Sequence, residues 1–313
     1  MELTKIKIMQ TNINLPLKGI IPPLVTPLLD KDILDVEGLE RLIEHTILGG
    51  VHGIFILGTT GEFAGLSYRL RRELIERTCK QVNGRVPVLV GITDSAYIES
   101  LNQANFAANS GADAVVLSPP YYFAAGQPEL LEYLRQIAFY LPLPLFLYNM
   151  PAHTKVAFAP ETIKEAAEIP GVVGMKDSSS DLAYLKQVQF VLRDRNDFTF
   201  LVGPEEFTAE FVLTGGHGGV NGGANMFPRL YVNLYEAALK KDFDKMNTLQ
   251  QKVMQISTTI YHVGRYGSSY LKGLKCALSV MGICNDFMAE PFHRFNPPER
   301  KKIEEALNAL ELH

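Results

Sequence analysis

Residues 171–180, Gly-Val-Val-Gly-Met-Lys-Asp-Ser-Ser-Ser, join an apolar run to a single lysine and a polar cluster. The apolar part, with its two valines, is typical of a strand buried on both faces. Lys176 ends that strand, where we expect little water around its amine. Desolvation disfavours an ammonium ion, so an amine at this point is a usable nucleophile for attack on a carbonyl. The competing interpretation is a surface lysine whose ammonium reaches solvent along the apolar stem.

Similar short apolar segments recur along the chain and alternate with helical patterns. The strands are predicted at residues 19–26, 53–57, 88–91, 112–117, 145–149, 172–176, 198–202 and 218–222. Eight strand–helix units at nearly regular spacing fill roughly the 250 residues that a (β/α)8 barrel occupies, whereas a doubly wound sheet seldom has eight uniform units. We therefore predict an α/β fold, a (β/α)8 TIM barrel over residues 19–230. Residues 1–18 are predicted as an N-terminal tail and residues 231–313 as a C-terminal helical extension.

Composition restricts the class of protein. The 313 residues are 47% hydrophobic and 20% charged, which is ordinary for a globular chain with a sizeable core. The net charge of -4 gives no basic surface for nucleic acid, and no apolar run has the length of a membrane span. The small-molecule partners of an enzyme are therefore expected instead of nucleic acid or membrane.

The cysteines and histidines bear on location and metals. Cys79, Cys276 and Cys284 are few, odd in number and unclustered, which indicates reduced thiols and a cytoplasmic location. The seven histidines are scattered and form no metal-ligand spacing with the cysteines. We expect neither a metal nor another cofactor.

Polar motifs follow most of the predicted strands. They are GTTGE at 58–62, SPPYY at 118–122, YNMP at 148–151, GPEE at 203–206 and a glycine-rich segment at 215–223. Active sites of (β/α)8 barrels lie at the carboxyl ends of the strands, so these motifs converge on one mouth with Lys176. Each motif alone also has a structural explanation: a tight turn, a core tyrosine, acids that begin a helix, or close packing of backbones.

Taken in order, these motifs resemble the N-acetylneuraminate lyase and dihydrodipicolinate synthase superfamily of class I, pyruvate-dependent aldolases. The resemblance runs from about Gly19 through the C-terminal helices. It implies a (β/α)8 barrel with added helices, usually assembled as a homotetramer that is a dimer of dimers. It also implies lyase chemistry through a covalent imine between the enzyme and the keto group of pyruvate, with no separate cofactor.

The resemblance assigns roles to individual positions. Lys176 would form the Schiff base, and Tyr148 would carry a proton to and from the aldehyde oxygen. Thr59 would link Tyr148 into a hydroxyl relay, which Tyr122 of an adjacent subunit would complete. The pyruvate carboxylate would be held by Thr60 and neighbouring backbone N–H groups. Further substrate-binding positions would be Gly58, Val220, Ser178, Glu205 and Glu206.

One position departs from the synthase pattern. Synthases that use aspartate semialdehyde carry an arginine two residues after the proline of the YNxP motif, where this chain has His153. Lys155, two residues further on, is a candidate to supply the missing charge. The leading hypothesis is therefore an aldolase or lyase for a 2-keto-3-deoxy sugar acid or a similar hydroxylated acid. The alternatives are dihydrodipicolinate synthase, which condenses pyruvate with aspartate semialdehyde, a barrel isomerase for a sugar phosphate, and a non-catalytic 2-oxo-acid sensor.

Overall fold

A closed barrel of parallel strands forms the centre of the molecule. The structure, a computed structural model, describes residues 13–310. Its strands are β1 Gly19–Ile20, β2 Leu28–Asp30, β3 Ile33–Leu34, β4 Ile54–Ile56, β5 Val88–Gly91, β6 Ala114–Leu117, β7 Leu145–Asn149, β8 Val172–Asp177, β9 Thr199–Val202 and β10 Gly218–Gly219. Eight of them form one sheet in the order β1-β10-β9-β8-β7-β6-β5-β4. The parallel bridge between Pro23 and Phe55 joins the first segment to β4 and closes the barrel. The predicted fold is confirmed.

Helices surround the barrel and continue beyond it. They are α1 Val36–Leu48, α2 Tyr68–Val82, α3 Tyr97–Asn109, α4 Gln127–Tyr140, α5 Pro151–Thr154, α6 Pro160–Ala166, α7 Leu182–Val191, α8 Thr208–Leu213, α9 Pro228–Lys240, α10 Phe243–Thr259, α11 Ser269–Val280 and α12 Pro297–Leu310. Several begin at a side-chain cap, as where Asp35 accepts from Gly38 N and Asp181 accepts from Ala183 N and Tyr184 N. Such caps satisfy backbone N–H groups that have no partner within the helix.

The core has two parts, as the barrel geometry requires. A large apolar layer lies between the strands and the helices, and a smaller cluster fills the barrel interior. The interior cluster includes Phe55, Phe146, Tyr148, Leu201 and Val220. Because successive side chains of a strand point to opposite faces, one strand can contribute to both parts, as β4 does with Phe55 inside the barrel and Ile54 and Ile56 outside it. The interior cluster extends to Tyr148, so the open part of the barrel mouth lies beyond that residue.

Some elements differ from the sequence prediction. The strand predicted at 19–26 is regular only over Gly19–Ile20, because Pro22 and Pro23 have no N–H to donate to a neighbouring strand. The strand predicted at 218–222 ends at Gly219, and the chain then forms a 3-10 helix over Gly222–Asn225. The hairpin β2–β3 and the short helix α5 were not predicted. Most of the predicted N-terminal tail lies outside the described residues.

Within residues 13–310, no helix combines the length and the apolar character needed to cross a membrane.

Candidate active site

Lys176 lies inside the barrel mouth. Its side chain is only 6% exposed, so the interpretation as a solvent-reaching surface lysine is wrong. Its Nζ lies 4.3 Å from the ring centroid of Tyr148 and 5.5 Å from that of Phe55. Among the described residues, no group accepts a hydrogen bond from this amine and no carboxylate pairs with it. The amine therefore lies against aromatic rings, and no hydrogen bond to the described residues engages its nitrogen.

Tyr148 is placed beside Lys176 by strand pairing. The two residues are direct partners in the register between β7 and β8. The next residues of these strands, Asn149 and Asp177, are also partners and face away from the barrel interior. There Asn149 Nδ2 donates to Asp177 Oδ1 at 2.7 Å, and Ser179 N and Oγ donate to Asp177 Oδ2. Burial raises the pKa of Asp177, and these hydrogen bonds oppose the rise. This outer pair fixes the register that sets Tyr148 against Lys176.

The loop after β4 supplies the next hydroxyl. Thr59 Oγ1 lies 3.2 Å from the Tyr148 hydroxyl, within hydrogen-bond distance. Leu57 and Glu62, which flank the Gly58–Gly61 turn, both have left-handed backbone conformations, with φ values of 58° and 55°. Non-glycine residues in that region typically cost about 1–3 kcal/mol each and persist only where surrounding contacts hold them.

Glu62 supplies those contacts. Its Oε1 accepts from Lys275 Nζ at 2.6 Å and its Oε2 accepts from the backbone N–H of Ala289 at 2.9 Å. Lys275 Nζ also donates to the carbonyl of Phe287. Lys275 and Glu62 are both fully buried, so the strained loop is tied to α11 and to the segment that follows it.

The second threonine of the loop faces another tyrosine. Thr60 is buried, and its Oγ1 lies 3.1 Å from the hydroxyl of Tyr270, a residue of α11. Burial is the main cause that raises the pKa of Tyr270, and the charge of Glu205 adds to it. The Tyr270 phenol is therefore neutral at physiological pH.

A cavity of about 610 Å³ opens above Thr59 and Tyr148. Its wall is rich in aromatic rings and hydroxyl groups. The lining side chains that bear on substrate choice are Ser118, Tyr121, Met150, His153, Thr154, Tyr266, Tyr270 and Phe292. Its two acidic residues, Glu62 and Glu290, are each paired with a lysine. No lysine or arginine lines it among the residues that the structure describes.

His153 does line this cavity, but its environment opposes a positive charge. Burial lowers its pKa, and the nearby charge of Lys155 lowers it further. Lys155 is itself exposed, with a left-handed backbone, and its Nζ donates to the carbonyl of Ala152 at 2.7 Å. It is not a lining residue, so neither side chain reproduces the arginine of the synthase pattern.

The two glutamates predicted to bind substrate lie elsewhere. Glu205 is buried, and its Oε1 accepts from the hydroxyls of Tyr231 and Tyr261 at 2.5 and 3.0 Å. Its Oε2 accepts from Gly223 N at 2.9 Å, and burial raises the pKa of Glu205 to about 7. Glu206 accepts from Ser257 Oγ. Neither residue lines the cavity, so this geometry does not match their expected contact with substrate hydroxyls. Nothing in the sequence indicated that the carboxylate oxygens of these two glutamates accept hydrogen bonds from distant residues.

The remaining predicted positions surround the site. Val220 belongs to the same interior cluster as Tyr148 and Phe55. Gly58 packs so closely on the Phe55 ring that an added Cβ would lie 2.7 Å from it. Ser178 is half-buried, and its N–H donates to Asn149 O at 2.8 Å. None of the three lines the cavity.

Tyr122, also predicted as a site residue, lies outside the cavity of its own chain. Its ring is 81% exposed and stacks edge-on against Phe123 at 5.2 Å between centroids. It makes no hydrogen bond to the described residues. Within one chain it therefore takes no part in the contacts of Thr59 and Tyr148.

No group of three or more His, Cys, Asp or Glu side chains within residues 13–310 is arranged to hold a metal ion.

Comparison with known proteins decides the family. The model of the dihydrodipicolinate synthetase family matches residues 16–310, nearly the whole chain. The chain belongs to this family. Among curated relatives, a 4-hydroxy-tetrahydrodipicolinate synthase of Methanospirillum hungatei is 30% identical over 93% of this chain and 98% of its own. A DapA-like lyase of Thermococcus kodakarensis is 32% identical over 94% and 98%. Like these relatives, this member of the dihydrodipicolinate synthetase family is an aldolase-type lyase.

Solved structures extend the comparison. A dihydrodipicolinate synthase from Bacteroides thetaiotaomicron is 63% identical, with a TM-score of 0.93 over 95% of this chain and 100% of that one. YagE, a prophage protein from E. coli K12 that was solved with pyruvate, is 29% identical, with a TM-score of 0.89 over 95% and 100%. The names of these relatives differ, so the family is shown and the substrate is not.

Two residues at this family member's site were missed by the sequence analysis. Tyr270 and Lys275 both lie on α11, in the segment predicted only as part of a helical extension. A lysine and a tyrosine within a helix give no local signal of burial, because their contacts with Thr60 and Glu62 span more than 200 positions of sequence. Only the fold brings them to the loop after β4.

Proposed function

We propose that this chain is a Schiff-base-forming, pyruvate-dependent aldolase or lyase, with Lys176 as the residue that forms the imine. The observation that carries the proposal is the buried, unpaired Lys176 amine, 4.3 Å from the ring centroid of Tyr148, whose hydroxyl lies 3.2 Å from Thr59. An amine that lies among aromatic rings, with no carboxylate or hydrogen-bond acceptor beside it in the described residues, is placed to attack a keto group. Relatives solved with pyruvate support the choice of 2-oxo acid.

The proposed reaction balances without a further reagent. The Lys176 nitrogen attacks the keto carbon of pyruvate, water leaves, and a protonated imine results. Transfer of a methyl proton to water gives an enamine, whose carbon attacks the aldehyde carbon while Tyr148 delivers a proton to the aldehyde oxygen and regains one from water. Hydrolysis of the imine then releases the product and restores the amine. Cleavage is the same sequence in reverse.

The second substrate is proposed to be an uncharged, hydroxylated aldehyde, such as the aldehyde fragment of a 2-keto-3-deoxy sugar acid. The support is the wall of the cavity. It offers the phenol of Tyr121, whereas Ser118 and Thr154 already donate their hydroxyls to Thr93 Oγ1 and to backbone carbonyls and present only their oxygens as acceptors. The lowered pKa of His153 favours its neutral imidazole. A second carboxylate would find no charge-assisted partner there, and such pairs are about twice as strong as neutral hydrogen bonds.

Dihydrodipicolinate synthase is the second candidate, because the 63% identical structure from Bacteroides thetaiotaomicron carries that name. That activity would require aspartate semialdehyde to bind without the arginine clamp. A residue from another subunit could then supply the charge. The two candidates share the Lys176 chemistry and differ only in the acceptor.

Borohydride trapping tests the mechanism. The protein incubated with pyruvate and borohydride should gain one reduced pyruvyl group per chain, and peptide mapping should place it on Lys176. Lys275→Arg is not a suitable control because it disturbs the loop, so Lys155→Met, a change to an exposed lysine, serves instead and should trap normally. An adduct at another residue, or none, refutes the proposal.

The same protein preparation then decides the acceptor. We expect kcat/KM with D- or L-glyceraldehyde to exceed that with aspartate semialdehyde by about tenfold or more, since a charge-assisted contact contributes roughly 1.5–3 kcal/mol. His153→Arg should lower the ratio of these two kcat/KM values, because an arginine there would pair with the carboxylate of aspartate semialdehyde. A preference of the unaltered protein for aspartate semialdehyde would make it a dihydrodipicolinate synthase.

A further inference from the structure

Tyr270 stands between the cavity and the buried Thr60. Its side chain lines the cavity together with Thr59 and Tyr148, and its hydroxyl lies 3.1 Å from Thr60 Oγ1. A threonine hydroxyl without a fixed partner rotates freely about its bond to carbon. The contact with Tyr270, in which either hydroxyl can donate, limits this rotation of the Thr60 hydroxyl.

The glycine-rich segment after β10 has space for this phenol. A Cβ added to Gly222 would lie 1.8 Å from the Tyr270 hydroxyl oxygen, and one added to Gly223 would lie 1.9 Å from that of Tyr231. Any larger residue at either position would displace a tyrosine. The sequence analysis offered close packing as one explanation for this glycine-rich segment, and that explanation applies at Gly222 and Gly223.

Tyr270 packs against a buried hydrogen-bond network that is centred on Glu205. Its ring packs edge-on against Tyr261 at 4.8 Å between centroids, and the Tyr261 hydroxyl donates to Glu205. Glu205 in turn accepts from Tyr231 and from Gly223 N. Tyr231 of α9 and Tyr261 of the 3-10 helix Ile260–His262 are thus anchored on one carboxyl group, and Tyr270 of α11 packs on the anchored Tyr261 ring. The fixed position of the Tyr270 phenol follows from this anchoring.

We propose that Tyr270 is a positioning residue for the carboxylate end of the 2-oxo acid, acting through its hydrogen bond to Thr60. The inference rests on the proposed function, in which Thr60 and its neighbouring N–H groups hold that carboxylate. A hydroxyl directed in advance loses less freedom when the anion binds, so pyruvate binds more tightly. Tyr270 acts on the binding of pyruvate and takes no part in the proton transfer at Tyr148.

Tyr270→Phe tests the inference because it removes only the hydroxyl. We expect the KM for pyruvate to rise about 5- to 10-fold, as the loss of one neutral hydrogen bond typically gives, while kcat changes less than twofold. Thr60→Val removes the other partner, and Tyr270→Phe should add almost nothing in that background. Tyr235→Phe is the matched control, a buried tyrosine beside His52 with no contact to Thr60, and should leave the pyruvate KM unchanged.

Gly222→Ala gives a second route to the same contact. Its methyl group would push the Tyr270 hydroxyl away from Thr60 while leaving the phenol in the chain, so the same rise in pyruvate KM is expected. An unchanged pyruvate KM in Tyr270→Phe, or additive effects of Thr60→Val and Tyr270→Phe, would overturn the inference. Failure of the unaltered protein to be trapped by pyruvate at Lys176 would instead refute the proposed function, so the two failures are distinguishable.

Discussion

Within residues 13–310 two lysines are buried, and their partners separate their roles. Lys275 Nζ donates to a carboxylate and to a carbonyl. Lys176 contacts the ring faces of Tyr148 and Phe55 and has no hydrogen-bond acceptor among the described residues. A buried amine with no partner is costly for the fold and is retained at sites where it reacts. The sequence indicated Lys176 through its place at a strand end, but no residue near Lys275 indicated a buried lysine.

Glu205 is the buried acid whose titration should be visible in stability. Its pKa is raised from 4.5 to about 7 in the folded chain, chiefly by burial. Because the fold favours the neutral carboxyl group, Glu205 contributes to the free energy of unfolding. That contribution is complete below about pH 4.5 and is lost as the pH rises through about 7. Glu205→Gln, which is neutral at every pH, should therefore gain stability relative to the unaltered protein between pH 5 and pH 8. Each pKa unit corresponds to about 1.4 kcal/mol, which gives a relative gain on the order of 3 kcal/mol.

Chemical denaturation at the two pH values measures this difference. Glu44→Gln is the control, because Arg85 and Gln81 hold the pKa of Glu44 low, at about 2. The contribution of Glu44 is lost only as the pH falls below about 4.5, so its substitution should show no change in relative stability between pH 5 and pH 8. If the stability of Glu205→Gln relative to the unaltered protein also stays the same between pH 5 and pH 8, then ionisation of Glu205 does not destabilise the fold.

At the scale of elements, the loop after β4 depends on a helix that follows it by about 200 residues. Leu57 and Glu62 keep left-handed conformations, and the Glu62 side chain is bound by Lys275 of α11 and by Ala289 N. Gly91 of β5 leaves room for this loop, since an added Cβ would lie 2.1 Å from Leu57 O. The position of Thr59 and Thr60 is thus set by contacts outside their own loop.

Removing the lysine of this buried pair should destabilise the protein strongly. Lys275→Met leaves Glu62 buried without its cation, which typically costs about 3–5 kcal/mol. Lys31→Met breaks the ion pair between Lys31 and Glu290, whose side chains are 69% and 57% exposed, and should cost far less than the change at Lys275 because water screens an exposed pair. Thermal unfolding at a fixed scan rate compares the two. Adding Glu62→Gln to Lys275→Met should recover part of the loss, and equal effects of the two lysine changes would contradict this account.

The elements themselves could largely be predicted from the sequence, because most barrel strands are apolar runs that end in a polar motif. Prediction was less successful where backbone hydrogen bonding, and not apolar pattern, decides the structure. Pro22 and Pro23 shorten the first strand, and Gly222, the last residue of the strand predicted at 218–222, begins a 3-10 helix. The hairpin β2–β3 has only one buried residue in each strand, so its alternation was too short to identify.

At the scale of the whole molecule, the barrel brings the predicted motifs together but not all of their residues. Strand register sets Tyr148 beside Lys176, and both could be predicted because each lies next to the carboxyl end of its strand. The placement of Glu205 could not, since its hydrogen-bond partners Tyr231 and Tyr261 come from the C-terminal helical region. Side-chain contacts between distant segments decide which polar residues face the cavity and which are already satisfied.

Tyr122 concerns the assembly of several chains. In one chain its ring is 81% exposed and contacts Phe123, another 81% exposed ring, so the two form an apolar projection beside the cavity. Exposed aromatic pairs of this kind are typical of protein interfaces. If Tyr122 completes the Tyr148–Thr59 relay, as the family resemblance implies, it must do so in the site of another copy of the chain. The single chain would then be incomplete as a catalyst.

Subunit complementation tests this arrangement. Tyr122→Phe and Lys176→Ala chains should each be nearly inactive as pure assemblies, because each lacks one part of every site. When the two are mixed and reassembled, some sites combine an intact Lys176 with Tyr122 from the neighbouring chain. Random pairing puts half of the chains in hybrid dimers, and each hybrid dimer has one complete site. We therefore expect up to about a quarter of normal activity to return. Tyr121→Phe mixed with Lys176→Ala serves as a comparison for a neighbouring ring that lines the cavity of its own chain. Mass spectrometry should verify the mixed assemblies, and an inactive verified hybrid would place any role of Tyr122 within its own subunit.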